Sequence, residues 1–342
     1  MDSALLPSLR RFSAVPLGGL LLGLLLFTGC GSEADTTTLR LGHGMAPAHP
    51  VSKGMRYFAH TVDSLSDGKM NVEIYPSEQL GTERQCLELL QIGSLDMAKV
   101  SSAVLEGFSR DYRVFGLPYV FRNDKHRFNV LEGEIGREIL LSGQDVWLRG
   151  LTYYDAGSRS FYTADTPIRE PADLKGLKIR VQQSPVAIQM VQELGAQATP
   201  ISFGELYTAL QQGVVEGAEN NPPSLHSTRH YELVDYYSLD QHTSPPDVLL
   251  ISTHTWEDLT EQQRSWVQTA ADASLQKQKA YWAQAEREAM KVVKEAGVEI
   301  VRPDKSKFVE AVQPLYEQYR KNQPRVYELF QRIRNLHSSD DS

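Results

Sequence analysis

Residues 260–263 read Thr-Glu-Gln-Gln, and neither Pro nor Gly follows until Gly297. Thr with Gln three residues later is a reciprocal cap for a helix start, and Gly is a common helix terminator. The stretch therefore predicts one helix of about 37 residues, roughly 55 Å long at 1.5 Å per residue. Val267, Ala270, Ala271, Leu275, Ala280, Trp282, Ala285 and Met290 lay a broken apolar stripe along it. Such a helix outruns one small α/β lobe. The chain is expected to form two lobes, with this helix running along both.

The preceding sequence has the rhythm of two α/β units. Residues 39–44 read as a strand, Met55 to Leu65 carry apolar side chains at helical spacing, and Gly68 closes that helix. A strand at 70–76, a helix capped by Thr82, and a strand at 95–101 complete a β-α-β-α-β order, which argues for a largely parallel sheet. The rhythm restarts at 151–157. It continues through a short helix at 171–176, a strand at 177–181, a helix opened by Ser184-Pro185, a helix at 203–213 and a strand at 214–220 that Gly217 breaks. No internal sequence repeat stands out. Such sheets place ligands at their strand ends.

The N-terminus reads as an export signal. Arg10 and Arg11 precede an apolar run from about residue 15 to 27, shorter than the ~20 residues of a spanning helix. "FTGC" ends it. Cleavage before Cys30 takes away two arginines and one aspartate and moves the formal charge from −8 to −9. Cys86 then remains as the one free thiol, so no intramolecular disulfide is expected. The acidic balance argues against a nucleic-acid partner, though local cations can still gather an anion.

The sequence has no Walker loop, no G-x-S-x-G elbow and no dinucleotide fingerprint. His226 and His230 are four apart but lack the Glu of a zinc protease, and capping or solvated roles fit them better. No catalytic residue, metal or cofactor is expected.

Two arginines carry the argument. Arg180 sits in a strand whose other face, Ile179 and Val181, is apolar. Its guanidinium meets water, a structural carboxylate or a ligand. Arg159 falls in a Gly/Ser turn just past a strand end, one crossover earlier. A pair of guanidiniums on neighbouring strand ends can fork around one carboxylate, and pairing with the protein's own Asp or Glu is the competing reading. Asn220 and Asn221, ahead of two prolines, suit sugar hydroxyls or a turn stabilised by their own side chains.

Taken together, "YPSEQLG", "LQIGSLDMAKVSS", "FGLPYVF", "DLKGLKIRV", "ISFGELYTALQQGVVEGAENNPPS" and the long late helix resemble the solute-binding proteins of TRAP (tripartite ATP-independent periplasmic) transporters, over nearly all of residues 38–335. "FTGC" resembles a bacterial lipobox, with Phe27 in place of the usual Leu. The resemblance implies an α/β, two-lobed periplasmic-binding-protein-like fold with mixed sheets, crossing hinge strands and one long helix spanning both lobes. It divides the chain into a lipoprotein signal peptide (1–29), a tether (30–37), lobe I (38–156 and 246–285) and lobe II (157–245 and 286–336).

The resemblance further implies a non-enzymatic receptor, periplasmic and monomeric. It would be anchored to a membrane through a lipid on Cys30 and deliver a small organic acid to permease subunits. The family's carboxylate-binding Arg falls on Arg180, a second Arg contact on Arg159, its Asn on Asn220 and an aromatic on Phe203, with Asn221 adjacent. Sialic-acid-binding members have Glu where this chain has Ser101 or its neighbour. "GAENNPPSLHSTRHYE" and "YYSLDQH" resemble the branch that binds hexuronates such as glucuronate and galacturonate. Lys99, Ser101, Glu83 and His49 are then candidates for hydroxyl contacts. A dicarboxylate or aromatic acid as ligand, or a periplasmic sensor role, are the alternatives.

Overall fold

Some strands alternate buried and exposed side chains and others are buried on both faces, and the computed structural model, which describes residues 36–336, arranges them in two mixed sheets. The expected signal peptide (1–29), Cys30 and most of the expected tether (30–37) lie outside the described residues.

The first unit runs β1 (Thr37–His43), α1 (Pro50–Leu65), β2 (Met70–Tyr75), α2 (Glu83–Gln91), β3 (Met97–Ser101) and α3 (Ser102–Leu105). Both β2 and β3 pair parallel with β1. Thr82 and Gln85 close a reciprocal capping box on α2, and His49 caps α1 ahead of Pro50. Three short helices, α4 (Arg113–Gly116), α5 (Asp124–Leu131) and α6 (Glu134–Leu141), lead to β4 (Leu148–Tyr154).

The chain then crosses to the second unit: β5 (Arg159–Thr163), β6 (Lys178–Val181), α7 (Pro185–Glu193), β7 (Gln197–Pro200), α8 (Leu206–Gln211), β8 (Gly217–Asn220), α9 (Pro222–Ser227) and β9 (Tyr236–Thr243). It crosses back with β10 (Asp247–Ser252), which pairs antiparallel with both β3 and β4. After α10 (Thr253–Asp258) comes α11 (Glu261–Glu295), 35 residues long, or about 52 Å. Its start carries the Thr260–Gln263 box. It packs on α1 and β4 of the first unit and on α9 of the second, so it spans both lobes. Gly54 permits the α1 approach, since a Cβ there would stand 2.8 Å from Gln278. Strand β11 (Glu299–Val301) then joins the second sheet, and α12 (Lys305–Ala311), α13 (Gln313–Asn322) and α14 (Pro324–Asn335) close the chain. The sheet orders are β2-β1-β3-β10-β4 and β11-β9-β5-β8-β6-β7.

The two units share a repeat that the sequence reading did not detect. "LQIGSLDMA" (90–98) and "LQQGVVEGA" (210–218) occupy the same place, each leading from a helix into a central strand. Gly93 and Gly213 both take the left-handed conformation, at φ +69° and +67°. Asp96 accepts the backbone N–H of Arg40 at 2.9 Å, and Glu216 accepts that of Lys178 at 2.9 Å. Strand register then equates Gly42 with Arg180, through Gly42↔Ala98 and Arg180↔Ala218. Shared geometry is held by small and acidic residues. The matched positions also carry different residues, Gly42 against Arg180 and Lys99 against Glu219, and of these Arg180 lines the cleft between the lobes.

Two local expectations change. Gly217 begins β8 instead of breaking a strand, because a Cβ there would lie 2.5 Å from the Tyr162 carbonyl on the paired strand. Arg159 opens β5, and β8 lies between β5 and β6. The two arginines are therefore not on adjacent strands; Asn220 and Glu219 stand between them. An apolar cluster joins the units behind this region, from Val104 and Phe115 to Phe161 and Val186. Full burial of each such side chain contributes about 1.5–3 kcal/mol.

Candidate solute-binding cleft

The strand ends of both sheets converge on a narrow cleft whose cavity volume is about 40 Å³. Its walls include Arg180, Arg159, Asn220, Asn221, Phe203, Ser101, Glu83 and His49, so eight of the nine residues expected at a binding site meet there. Lys99 does not line it. It is fully buried beneath the first-unit wall, its Nζ 2.9 Å from Glu83 Oε1 and 3.2 Å from Asp247 Oδ1. Burial disfavours its charge, but Asp247 and Glu83 outweigh that and raise its pKa.

Arg180 is 2 % exposed. Its Nε donates to the Ile201 carbonyl at 2.9 Å, and its buried Nη1 has no partner. No carboxylate among the described residues lies within ion-pairing distance of it. Burial, and then the charge of Arg159, lower its pKa; a guanidinium nevertheless stays charged. An unpaired buried charge is costly, and a bidentate anion satisfies it.

Arg159 is in a different situation. Its Nε bonds Glu219 Oε2, its Nη2 donates to Glu219 Oε1 at 2.9 Å and to the Glu219 carbonyl at 2.6 Å, and its Nη1 donates to Asn220 Oδ1 at 2.9 Å. Each guanidinium nitrogen thus has an internal partner. Burial pushes the Glu219 carboxyl up, yet Arg159 and His242 outweigh it and hold the pKa at about 2. His242 sits between Asp240, 2.7 Å from Nδ1, and Glu219, 3.5 Å from Nε2. Burial works against its charge, but those two acids raise its pKa to about 9.

Asn220 Oδ1 also accepts the Asn221 N–H at 2.9 Å, which fixes the amide and turns Nδ2 away from these partners. Asn221 caps α9 by accepting the Ser224 N–H at 2.8 Å. Ser101 caps α3, and its own N–H donates to Glu83 Oε1 at 3.2 Å. Phe203 is half-buried, with its ring edge-on to His230.

His49 accepts the Val51 N–H on Nδ1, leaving Nε2 to donate to Ser224 Oγ at 3.4 Å across the cleft. Burial, reinforced by Lys99 and His43, lowers its pKa to about 3, so the ring is neutral. A second bond crosses the cleft from the Gly204 N–H to Glu78 Oε1, at 3.2 Å. Behind the cleft the two crossovers meet, Ser158 Oγ lying 2.9 Å from Ser244 Oγ.

Glu78, Glu219, Asp247 and Trp282 were not expected at the site from sequence. Asp247 had one visible signal, a lone acid heading the apolar run "VLLI". Glu219 lay in plain view beside Asn220, but only strand pairing brings Arg159 to it. Trp282 belongs to the long helix stripe, where core packing explains an aromatic equally well. Among the described residues no cluster of His, Cys, Asp and Glu is arranged to hold a metal ion.

Residues 41–322 match the family model "bacterial extracellular solute-binding protein, family 7". The chain is 41% identical over 299 residues to YiiZ, an uncharacterized protein of Salmonella typhimurium, covering 87% of this chain and 91% of that one. Among solved structures it is similar to a TRAP periplasmic solute-binding protein of Xanthobacter autotrophicus with bound β-D-galacturonate. That match has 37% identity, a TM-score of 0.85, and covers 87% of this chain and 100% of the other. A counterpart from Roseobacter denitrificans with bound β-D-glucuronate matches at 32% identity and a TM-score of 0.85, over 88% of this chain and 100% of the other.

Proposed function

This chain belongs to family 7 of the bacterial extracellular solute-binding proteins, as a periplasmic receptor of the TRAP type, and from that premise we propose that its cargo is a hexuronate, glucuronate or galacturonate, held by its carboxylate on Arg180. It is a transport protein and not an enzyme. The observation that carries the proposal is the buried Arg180 guanidinium with Nη1 unpartnered at the wall of the cleft. Asn220 offers its Nδ2 beside it. Arg159 acts mainly by holding Glu219 and Asn220 in place, and adds its positive potential. Phe203 gives an apolar face for the ring carbons. Ser101, Glu83, Asn221 and His49 surround the hydroxyls, with Lys99 setting the charge of the wall from behind.

Lobe I (38–156 and 246–285) and lobe II (157–245 and 286–336) close on the solute, since ligand binding favours whichever form makes more contacts with it. The loaded receptor, a monomer, then docks on its permease. The anchor is a lipid on Cys30, exposed when the signal is cleaved. Labelling with an alkyne fatty acid should mark the wild type and spare Cys30→Ser.

Calorimetry tests the cargo. D-glucuronate or D-galacturonate should bind with about micromolar affinity or better, some 8 kcal/mol, and Arg180→Ala should abolish it. Undiminished affinity in that variant contradicts the role given to Arg180.

A further inference from the structure

We propose that the lobe I wall makes this receptor selective for acids with a single carboxylate: Glu83 and Asp247 take hydroxyls at the far end of the solute and repel a second carboxylate. The inference deepens the uronate reading and rests on it for the orientation of the ligand.

The charges that line the cleft support it. Three acids, Glu78, Glu83 and Asp247, face three arginines, Arg84, Arg159 and Arg180. Arg159 is committed to Glu219. Arg84 is half exposed and pairs with Glu88 at 3.1 Å. Arg180 is thus the one cleft-lining cation without an acidic partner among the described residues, and a single carboxylate satisfies it. On the other wall two carboxyls, Glu83 and Asp247, share one ammonium, that of Lys99, and burial together with the neighbouring Glu83 raises the Asp247 pKa against the pull of Lys99, so this wall is already crowded with acid.

The two acids also have acceptors to offer. Oε1 of Glu83 is taken by Lys99 and by the Ser101 N–H, and Oδ1 of Asp247 by Lys99. Oε2 of Glu83 and Oδ2 of Asp247 accept nothing from the described residues. Ionised carboxylates accept and never donate. Hydroxyl groups fit these oxygens; another carboxylate brings like charges together in a site with little water, where Coulomb repulsion is strong. Discrimination of this kind works by penalising the wrong solute as much as by holding the right one.

The experiment is calorimetry with D-glucuronate, D-galacturonate, D-gluconate, D-glucarate and succinate. D-glucarate keeps the glucuronate hydroxyl pattern and carries a second carboxylate in place of the aldehyde carbon. The wild type should bind glucarate about a hundredfold more weakly than glucuronate. Glu83→Gln should narrow that gap about tenfold, with Lys99 still paired to Asp247 and the melting curve showing that the variant folds. The wild-type comparison stands even if the variant does not fold. A dicarboxylate that binds as tightly as the best monocarboxylate overturns the inference, as does a gap unchanged in a folded Glu83→Gln. Failure of both uronates while gluconate binds overturns the uronate reading alone, and silence from the whole panel overturns both.

Discussion

Gln278 closes two hydrogen bonds on the backbone of Asp155: its Oε1 accepts the Asp155 N–H at 2.8 Å, and its Nε2 donates to the Asp155 carbonyl at 2.8 Å. Gln278 is fully buried in the middle of α11, and Asp155 begins the first crossover between the sheets. The Asp155 carboxylate is itself held by Arg127 at 2.7 Å and by the Gly157 N–H at 2.9 Å. The long helix is therefore more than a strut, because it fixes the point from which the second lobe departs. Gln278→Leu keeps the volume but strands a buried N–H and a buried C=O. Each such group costs about 1–3 kcal/mol. Denaturant unfolding should show a loss of roughly 2–6 kcal/mol, and a loss below about 0.5 kcal/mol, the scale of an ordinary surface substitution, would contradict this account of the crossover.

Arg180 and Arg159 should separate cleanly on mutation. Arg180 has no acid to abandon, so Arg180→Met should leave the unliganded protein as stable as the wild type or more so, while removing solute binding. Arg159→Met strips Glu219 of its main counter-charge, and breaking a buried pair costs about 3–5 kcal/mol. Thermal melts of the two unliganded variants read this directly. Equal melting temperatures would contradict the distinction between an unpaired and a paired guanidinium.

Closure should depend on the contact between Glu78 and Gly204. A Cβ on Gly204 would run into the Glu78 carboxylate, which must swing away and give up its cross-cleft bond. Gly204→Ala should weaken solute binding about tenfold, the loss of one charge-assisted hydrogen bond, with the unliganded melt unchanged. Small-angle scattering with saturating solute should still show compaction. Unaltered affinity would exclude Glu78 as a latch.

What was legible in the sequence follows from locality. The capping box at Thr260 and the terminator Gly297 act within one turn of their helix, so α11 could be read at nearly full length. Arg180 betrayed itself as a charge in a strand with an apolar face, and the structure leaves it without an internal acid. The partners of Arg159 and Lys99 could not be read, because Glu219 lies 60 residues from Arg159 and Asp247 lies 148 residues from Lys99. Only strand order brings them together. The repeat was hidden for a related reason: it is carried by a glycine conformation, two acids and a few small side chains.

Buried histidines and one buried carboxyl make the stability of the fold depend on pH. His43, His49 and His230 are buried, and burial lowers each pKa from 6.5 to about 3. The unfolded chain takes up those protons first, so stability is full above about pH 6.5 and falls as the pH drops towards 3. His242 behaves oppositely. Its pKa is raised to about 9 by Asp240 and Glu219 against the effect of burial, so its contribution is full below about 6.5 and disappears as the pH rises through 9. Glu106 adds to the alkaline loss. Its carboxyl accepts the Ser184 hydroxyl at 2.6 Å and the Val186 N–H at 3.1 Å, yet burial still raises its pKa to about 8, so its stabilisation fades from about pH 4.5 to 8. Below 6.5 one carboxyl cannot offset three histidines. The melting temperature should therefore peak close to pH 6.5, and His242→Asn should flatten the alkaline side while leaving the acid side intact. A melting temperature still rising between pH 7 and 9 would refute a charged His242 between its two acids.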